Sequence, residues 1–199
     1  SLDGVVREGL FKRVEQIFDA FGWDVVSVKY GTLQRKAFAE EGGNKLKDWI
    51  DDCPNQLYSA LTYMGGAVWR ERLMDALGDQ GDVTALLNAR NDAELAALME
   101  NLGGNCVETM AETFEAIKHD RPVCFLAYTI KGWGTPIAGH KDNHGGLMNK
   151  TQMAAWQKHM GVAEGEEWEK FSTIENPKEL QKFLDMNPFF AKGRRRYSD

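Results

Sequence analysis

The chain has 199 residues, 43% of them hydrophobic and 11% aromatic, with six Trp and ten Phe; this is enough to bury a core and excludes a disordered tract. A formal charge of -6, from 30 acidic against 24 basic residues, excludes a general binder of phosphate backbones. No apolar run of about 18 residues spans a bilayer and no basic stretch leading into an apolar one marks export, while the three cysteines, Cys53, Cys106 and Cys124, read as reduced, mostly buried thiols of a cytoplasmic-type protein.

Leu2-Asp3-Gly4 reads as a turn, after which Leu10, Val14, Ile17, Phe18 and Phe21 recur at helical spacing up to a stop at Gly22. Val25 to Tyr30 follows as a short β-branched strand ending at Gly31. Leu33 to Glu40 and Lys45 to Asp51 read as short helices around a Gly42-Gly43 break, and Gly65-Gly66 leads into a helix from Ala67 to Leu73. Val83 to Leu87 is too short to assign by periodicity. Asp92 to Glu100 reads as a helix that Asp92 can cap. The span from about 32 to 100 lacks regular strand spacing, so it is expected to be helical elaboration beside a sheet.

From Asn105 onward, Val107, Met110, Ala111, Phe114 and Ile117 form the apolar face of a further helix, which Asp120-Arg121-Pro122 ends. Val123 to Ile130 is then a nearly continuous apolar run, the pattern of an interior parallel strand covered on both faces. A helix from Lys150 or Thr151 through Met160, capped by Asn149 or Thr151, and another from Pro177 to Leu184 complete the elements. The expected class is α/β, with a mainly parallel sheet flanked by helices. Residues 163–199, ending in the basic run Lys192 to Arg196, read as an extension or linker with no assigned ligand.

The chemistry is expected between Val123 and Gly146, because loops beyond the carboxyl ends of parallel strands form ligand crevices. Lys131 follows the strand and precedes Gly132 and Gly134. Its ammonium either holds a substrate carboxylate or phosphate or faces solvent, and position alone leaves both open. The glycines complete neither a dinucleotide-binding nor a phosphate-loop motif. His140 and His144 are separated by Lys-Asp-Asn and followed by Gly-Gly, a poor basis for a metal-binding helix face, and no metal ligand is assigned. An imidazole there suits proton exchange or an oxyanion contact, although histidines in polar loops are also ordinary surface residues. His119 and His159 read as helix-end residues, and Met148, Met153, Trp156 and Met160 as packing residues.

The run Ala127 to Gly134, followed by His140 and His144, resembles the thiamine-diphosphate domain of homodimeric pyruvate dehydrogenase E1 components, of the transketolase superfamily. Ser1-Leu2-Asp3-Gly4, Gly22-Trp23-Asp24-Val25-Val26, Gly66-Ala67-Val68-Trp69-Arg70-Glu71 and Asn101-Leu102-Gly103-Gly104 are similar to segments of that family in the same order, so the resemblance covers residues 1 to about 162. It implies a partial thiamine-diphosphate-binding domain in 1–162, with Lys131 lining the substrate channel and touching the cofactor, His144 on an active-centre loop, and His140 as its companion. The implied reaction is oxidative decarboxylation of a 2-oxoacid, pyruvate foremost, with acetyl transfer to a lipoyl group.

The family's Gly-Asp-Gly motif and downstream Asn, which hold Mg2+ and the diphosphate, would lie before Ser1, so this segment alone is expected to be inactive. The implied partners are the remainder of the E1 polypeptide or a complementary chain, a second copy in a homodimer, and a lipoyl-bearing acyltransferase; neither nucleic acid nor a membrane is expected. His144-Gly145-Gly146 also resembles the loop of transketolases, which makes two-carbon ketol transfer the alternative reaction. A catalytically incomplete interaction fragment is the alternative outside enzymes.

Overall fold

Residues 10–187 are described in the computed structural model; the Ser1-to-Gly4 turn and the Lys192-to-Arg196 run lie outside the described residues. The chain divides into two compact units, 1–147 and 148–199.

In the first unit, the apolar spacing from Leu10 produces α1 (Leu10–Ala20), which ends at Gly22, whose φ is 78°. Trp23 turns back edge-on to Phe18, with ring centroids 5.3 Å apart. The strand β1 (Asp24–Val28) follows and pairs in parallel with β2 (Val123–Ala127), Asp24 opposite Val123 and Val28 opposite Ala127. A parallel pair needs a crossover, and here it is an all-helical layer. That layer comprises α2 (Thr32–Phe38), α3 (Gly43–Asp52), α4 (Asn55–Met64), α5 (Gly66–Leu77), α6 (Gly81–Asn88), α7 (Asp92–Glu100), a short 3-10 turn (Gly103–Asn105) and α8 (Val107–Glu115). The architecture is α/β, as expected.

The hydrophobic core corrects one expectation. It lies within the helical layer, where Leu46, Trp69, Leu73, Leu87, Leu95 and Met99 are fully buried. Helical spacing brings these side chains to facing stripes, and burying each contributes about 1.5–3 kcal/mol. Tyr58 and Trp49 meet Trp69 edge-on at 4.8 and 6.1 Å between centroids. Residues 32–100 are therefore the body of the unit and not an elaboration beside it. The unassigned stretch around Val83 to Leu87 belongs to α6 and supplies three buried side chains.

The strand after Pro122 also departs from expectation. It is shorter than Val123 to Ile130, its five residues are half-buried, and among the described residues it pairs with β1 alone. The apolar run is continuous for a different reason, since Ile130 leaves the strand and enters the helical core at 5% exposure. Likewise β1 stops at Val28, and Tyr30 makes an isolated antiparallel bridge to Leu102. The cap of α7 is Asn91 and not Asp92: Asn91 Oδ1 accepts the Glu94 N–H at 2.9 Å and Glu94 Oε2 accepts the Asn91 N–H at 2.8 Å, a reciprocal capping box. The helix α8 ends at Glu115, leaving Ile117 and His119 beyond it; Val107 and Phe114 stay exposed, although Phe114 stacks on Phe125 of β2 at 4.5 Å.

The second unit contains α9 (Lys150–His159), capped by an Asn149 and Gln152 box, and α10 (Pro177–Met186), with Pro177 opening the helix. Neither helix has a fully buried residue among those described; Met148 and Trp156 are half-buried, whereas Met153 and Met160, expected to pack, are exposed. No described helix is long and apolar enough to cross a membrane.

Candidate functional site

The carboxyl ends of β1 and β2 are held together by the segment Asn101 to Asn105. The Gly103 N–H donates to Lys29 O at 2.8 Å, and the Gly104 N–H to Tyr128 O at 2.9 Å. The Asn105 side chain accepts the Ile130 N–H at 2.8 Å, and Asn101 Oδ1 accepts the Leu33 N–H at 2.8 Å. Such close backbone approach excludes side chains: a Cβ on Gly103 would lie 2.5 Å from Val28 O, and one on Gly104 would lie 2.6 Å from Thr129 Cγ2. This brace directs the chain after each strand to the same edge of the helical layer.

The loop from Lys131 to Leu147 starts at that edge. Lys131 is half-buried, and its carbonyl accepts two hydrogen bonds, from the Gly139 N–H at 3.0 Å and from Asn143 Nδ2 at 2.7 Å. Gly132, Gly134 and Gly139 have φ of 73°, 80° and 73°, a region that side chains disfavour, so the glycine content follows from the turns. Thr135 Oγ1 donates to Gly132 O at 2.6 Å and tightens the first of them. Gly139 is buried with its α-carbon against Ser59 O of α4. The loop is thereby fastened to itself and to the helical layer.

Within it the expected site residues take different positions. The His140 ring stands edge-on to Tyr63 of α4 at 4.6 Å between centroids, and its Nδ1 accepts the Asp142 N–H at 3.1 Å. An accepting Nδ1 places the ring proton of the neutral imidazole on Nε2, which is thus the nitrogen able to donate. His144 is exposed one residue beyond Asn143. The Asn143 side chain closes the loop onto the Lys131 carbonyl, so that Lys131, His140 and His144 are carried on one closed turn. His119, expected to answer a helix end, instead approaches Asp24 Oδ2 at 3.0 Å beside Arg121 at 2.7 Å, clamping the start of the sheet.

A polar cluster that sequence reasoning missed lies at the end of β1. Lys29, Lys47 and the Tyr30 hydroxyl all donate to Asp51. Lys29 Nζ also sits 5.4 Å from the Tyr30 ring centroid and 5.6 Å from that of Tyr128, the residue that leads into the loop. Burial pushes the Asp51 carboxyl up, but the hydrogen bonds from Lys29, Lys47 and Tyr30 outweigh it and bring its pKa down to about 2. The Tyr30 phenol is raised by burial and then by Asp51, and so is held protonated as a donor. The Lys47 and Asp51 pair has the i,i+4 spacing of a helix and is legible in sequence, whereas Lys29 and Tyr30 lie some twenty positions away with no shared period to point to them.

Chemically, the loop offers a cation and two imidazoles, a set that can hold a carboxylate and move a proton. Its one carboxylate, Asp142, supplies too few oxygen ligands to hold a divalent metal. Among the described residues no group of three or more His, Cys, Asp or Glu could hold a metal ion. Among the described residues, then, the loop has groups that suit a carboxylate and none grouped to hold a divalent metal.

No family model matches the chain. It is similar to curated proteins named pyruvate dehydrogenase E1 component: 28% identical over 144 residues to that of Haemophilus influenzae, covering 71% of this chain and 16% of the relative. Identity is 26% over 156 residues with the Escherichia coli K12 protein, covering 76% and 17%, and 26% over 161 residues with that of Cupriavidus necator, covering 79% and 17%. The chain spans 16 to 17% of the length of these relatives. The similarity supports a partial, distant relationship to pyruvate dehydrogenase E1 components.

Proposed function

We propose that this chain forms the substrate-side part of the active centre of a 2-oxoacid dehydrogenase E1 component, acting on pyruvate and passing an acetyl unit to a lipoyl-bearing acyltransferase. The observation that carries the reading is the closed Lys131-to-His144 loop at the carboxyl ends of two parallel strands, in a chain whose curated relatives are named pyruvate dehydrogenase E1 components. In this reading the Lys131 ammonium binds the 2-oxoacid carboxylate at the channel wall beside the cofactor. His140 donates from Nε2, and His144 exchanges protons from the exposed end of the loop.

Thiamine diphosphate would supply the electron sink for decarboxylation, and its Mg2+ would be held by residues other than those described. Residues 1–162 belong to the partial thiamine-diphosphate-binding domain and 163–199 connect it onward. The reading implies a cytoplasmic homodimer.

The test uses the intact polypeptide that carries this segment, with thiamine diphosphate and Mg2+ added. Pyruvate-dependent carbon dioxide release and lipoyl acylation are expected, and Lys131→Met should raise the pyruvate KM by about 10- to 100-fold through loss of a charge-assisted contact. No decarboxylation of any 2-oxoacid by the intact wild-type polypeptide refutes the proposal. Ketose-to-aldose two-carbon transfer in its place would assign it to the transketolase type.

A further inference from the structure

Lys131 and His144 sit at the two ends of a loop that one side chain closes. Asn143 Nδ2 donates to Lys131 O at 2.7 Å, beside the 3.0 Å bond from the Gly139 N–H to the same carbonyl. A carbonyl only accepts, so the amide nitrogen and not the amide oxygen has to face Lys131. That orientation turns Oδ1 the other way, where it is buried with no hydrogen-bond partner among the described residues. The Asn143 N–H donates in turn to His140 O at 3.2 Å. A Cβ on Gly132 would lie 3.0 Å from Asn143 Nδ2, so the loop is shaped to leave room for this amide.

Asn143 is thus joined through its side chain to the backbone of Lys131, through its main chain to His140, and covalently to His144. We propose that Asn143 is the positioning residue of the loop, its amide fixing where Lys131 and His144 stand relative to each other and hence how well the loop binds a substrate carboxylate. The substrate part of this inference rests on the 2-oxoacid reading above; the clasp rests on the hydrogen bonds alone.

Two measurements test it with Asn143→Leu, which keeps the size and removes the donor, and Asn143→Gln, which keeps the amide on a longer arm. In the 199-residue chain, hydrogen exchange at the Gly139 amide should quicken by about tenfold in Asn143→Leu and recover in part in Asn143→Gln. Unchanged exchange in the Leu variant overturns the clasp. In the intact polypeptide, Asn143→Leu should raise the 2-oxoacid KM by about tenfold, with thiamine-diphosphate affinity within about twofold of wild type. Because KM does not depend on how much of the variant folds, an unchanged KM overturns the positioning role. If the wild-type polypeptide turns over no 2-oxoacid, the functional reading fails and the substrate part fails with it, while the exchange measurement still decides the clasp.

Discussion

Replacing Gly103 by Ala tests whether the brace between the strand ends holds the site edge in place. The added Cβ would lie 2.5 Å from Val28 O, 2.7 Å from Val28 C and 2.8 Å from Val28 Cγ1, and two of these are backbone atoms that cannot rotate away. The segment has to move outward, which stretches the Gly103 bond to Lys29 O and the Gly104 bond to Tyr128 O. Overpacking of this kind costs about 1–3 kcal/mol, and each weakened hydrogen bond adds up to about 1 kcal/mol. Restricting the unfolded chain returns about 0.4–1 kcal/mol, so a net loss near the middle of these terms, about 2 kcal/mol, is expected. Denaturant unfolding of the chain, followed by tryptophan fluorescence to which the buried Trp69 contributes, measures it. Gly81→Ala is the matched control: nothing lies within 4 Å of its Cβ and it opens α6, so the same exchange should be neutral or stabilise by up to about 1 kcal/mol. A loss below about 0.5 kcal/mol for Gly103→Ala would refute the argument that backbone approach at this point requires glycine.

Two further outcomes follow from the same structure. Because Asp51 is held at about 2 against about 3.9 unfolded, its stabilisation is present above pH 4 and is lost as pH falls towards 2. Asp51→Asn should cost about 1–2 kcal/mol at pH 7 after allowance for partial exposure, and the difference from wild type should shrink as pH falls through about 4 and vanish only below about 2; a pH-independent difference would point to packing as the cause. Asn91→Ala removes the side-chain acceptor of the α7 capping box and should cost about 1 kcal/mol in denaturant unfolding, whereas Asp92→Ala should cost less than half of that. Equal losses would mean that the cap had been assigned to the wrong residue.

The elements that the sequence predicts well are those whose signal is local. Leu10 to Phe21 repeat at helical spacing up to a glycine, and α1 ends there; Pro177 opens a helix because its fixed φ suits the first turn. What sequence periodicity does not show is which layer a stripe faces. The stripes of α3, α5, α6 and α7 turn towards one another around Trp69, and nothing in their spacing distinguishes that from packing on a sheet. The run from Val123 to Ile130 misleads for a related reason. Continuous apolarity signals burial but not by what, and here Val123–Ala127 is half-buried in a strand while Ile130 is buried among helices.

The segments that carry the resemblance are short because the constraint on each is steric. Gly66 lies where a Cβ would strike Asp92 O, Trp69 fills the core, and Arg70 donates to Asp92, to Leu87 O and to Arg90 O, tying α5 to the ends of α6 and α7. Asn101 to Asn105 joins the two strand ends in the same manner. Close backbone approach at Gly66, Gly103 and Gly104 leaves no room for a side chain, so these segments are legible in sequence even when the chemistry is several turns away. The loop proposed to bind substrate is different. Lys131 and the histidines stand out by residue type, whereas Asn143 acts through a carbonyl twelve positions earlier and leaves no periodic or compositional trace. A loop site of this kind can be located from its charged and imidazole groups, but the residue that aligns them is visible only once the backbone has closed on itself.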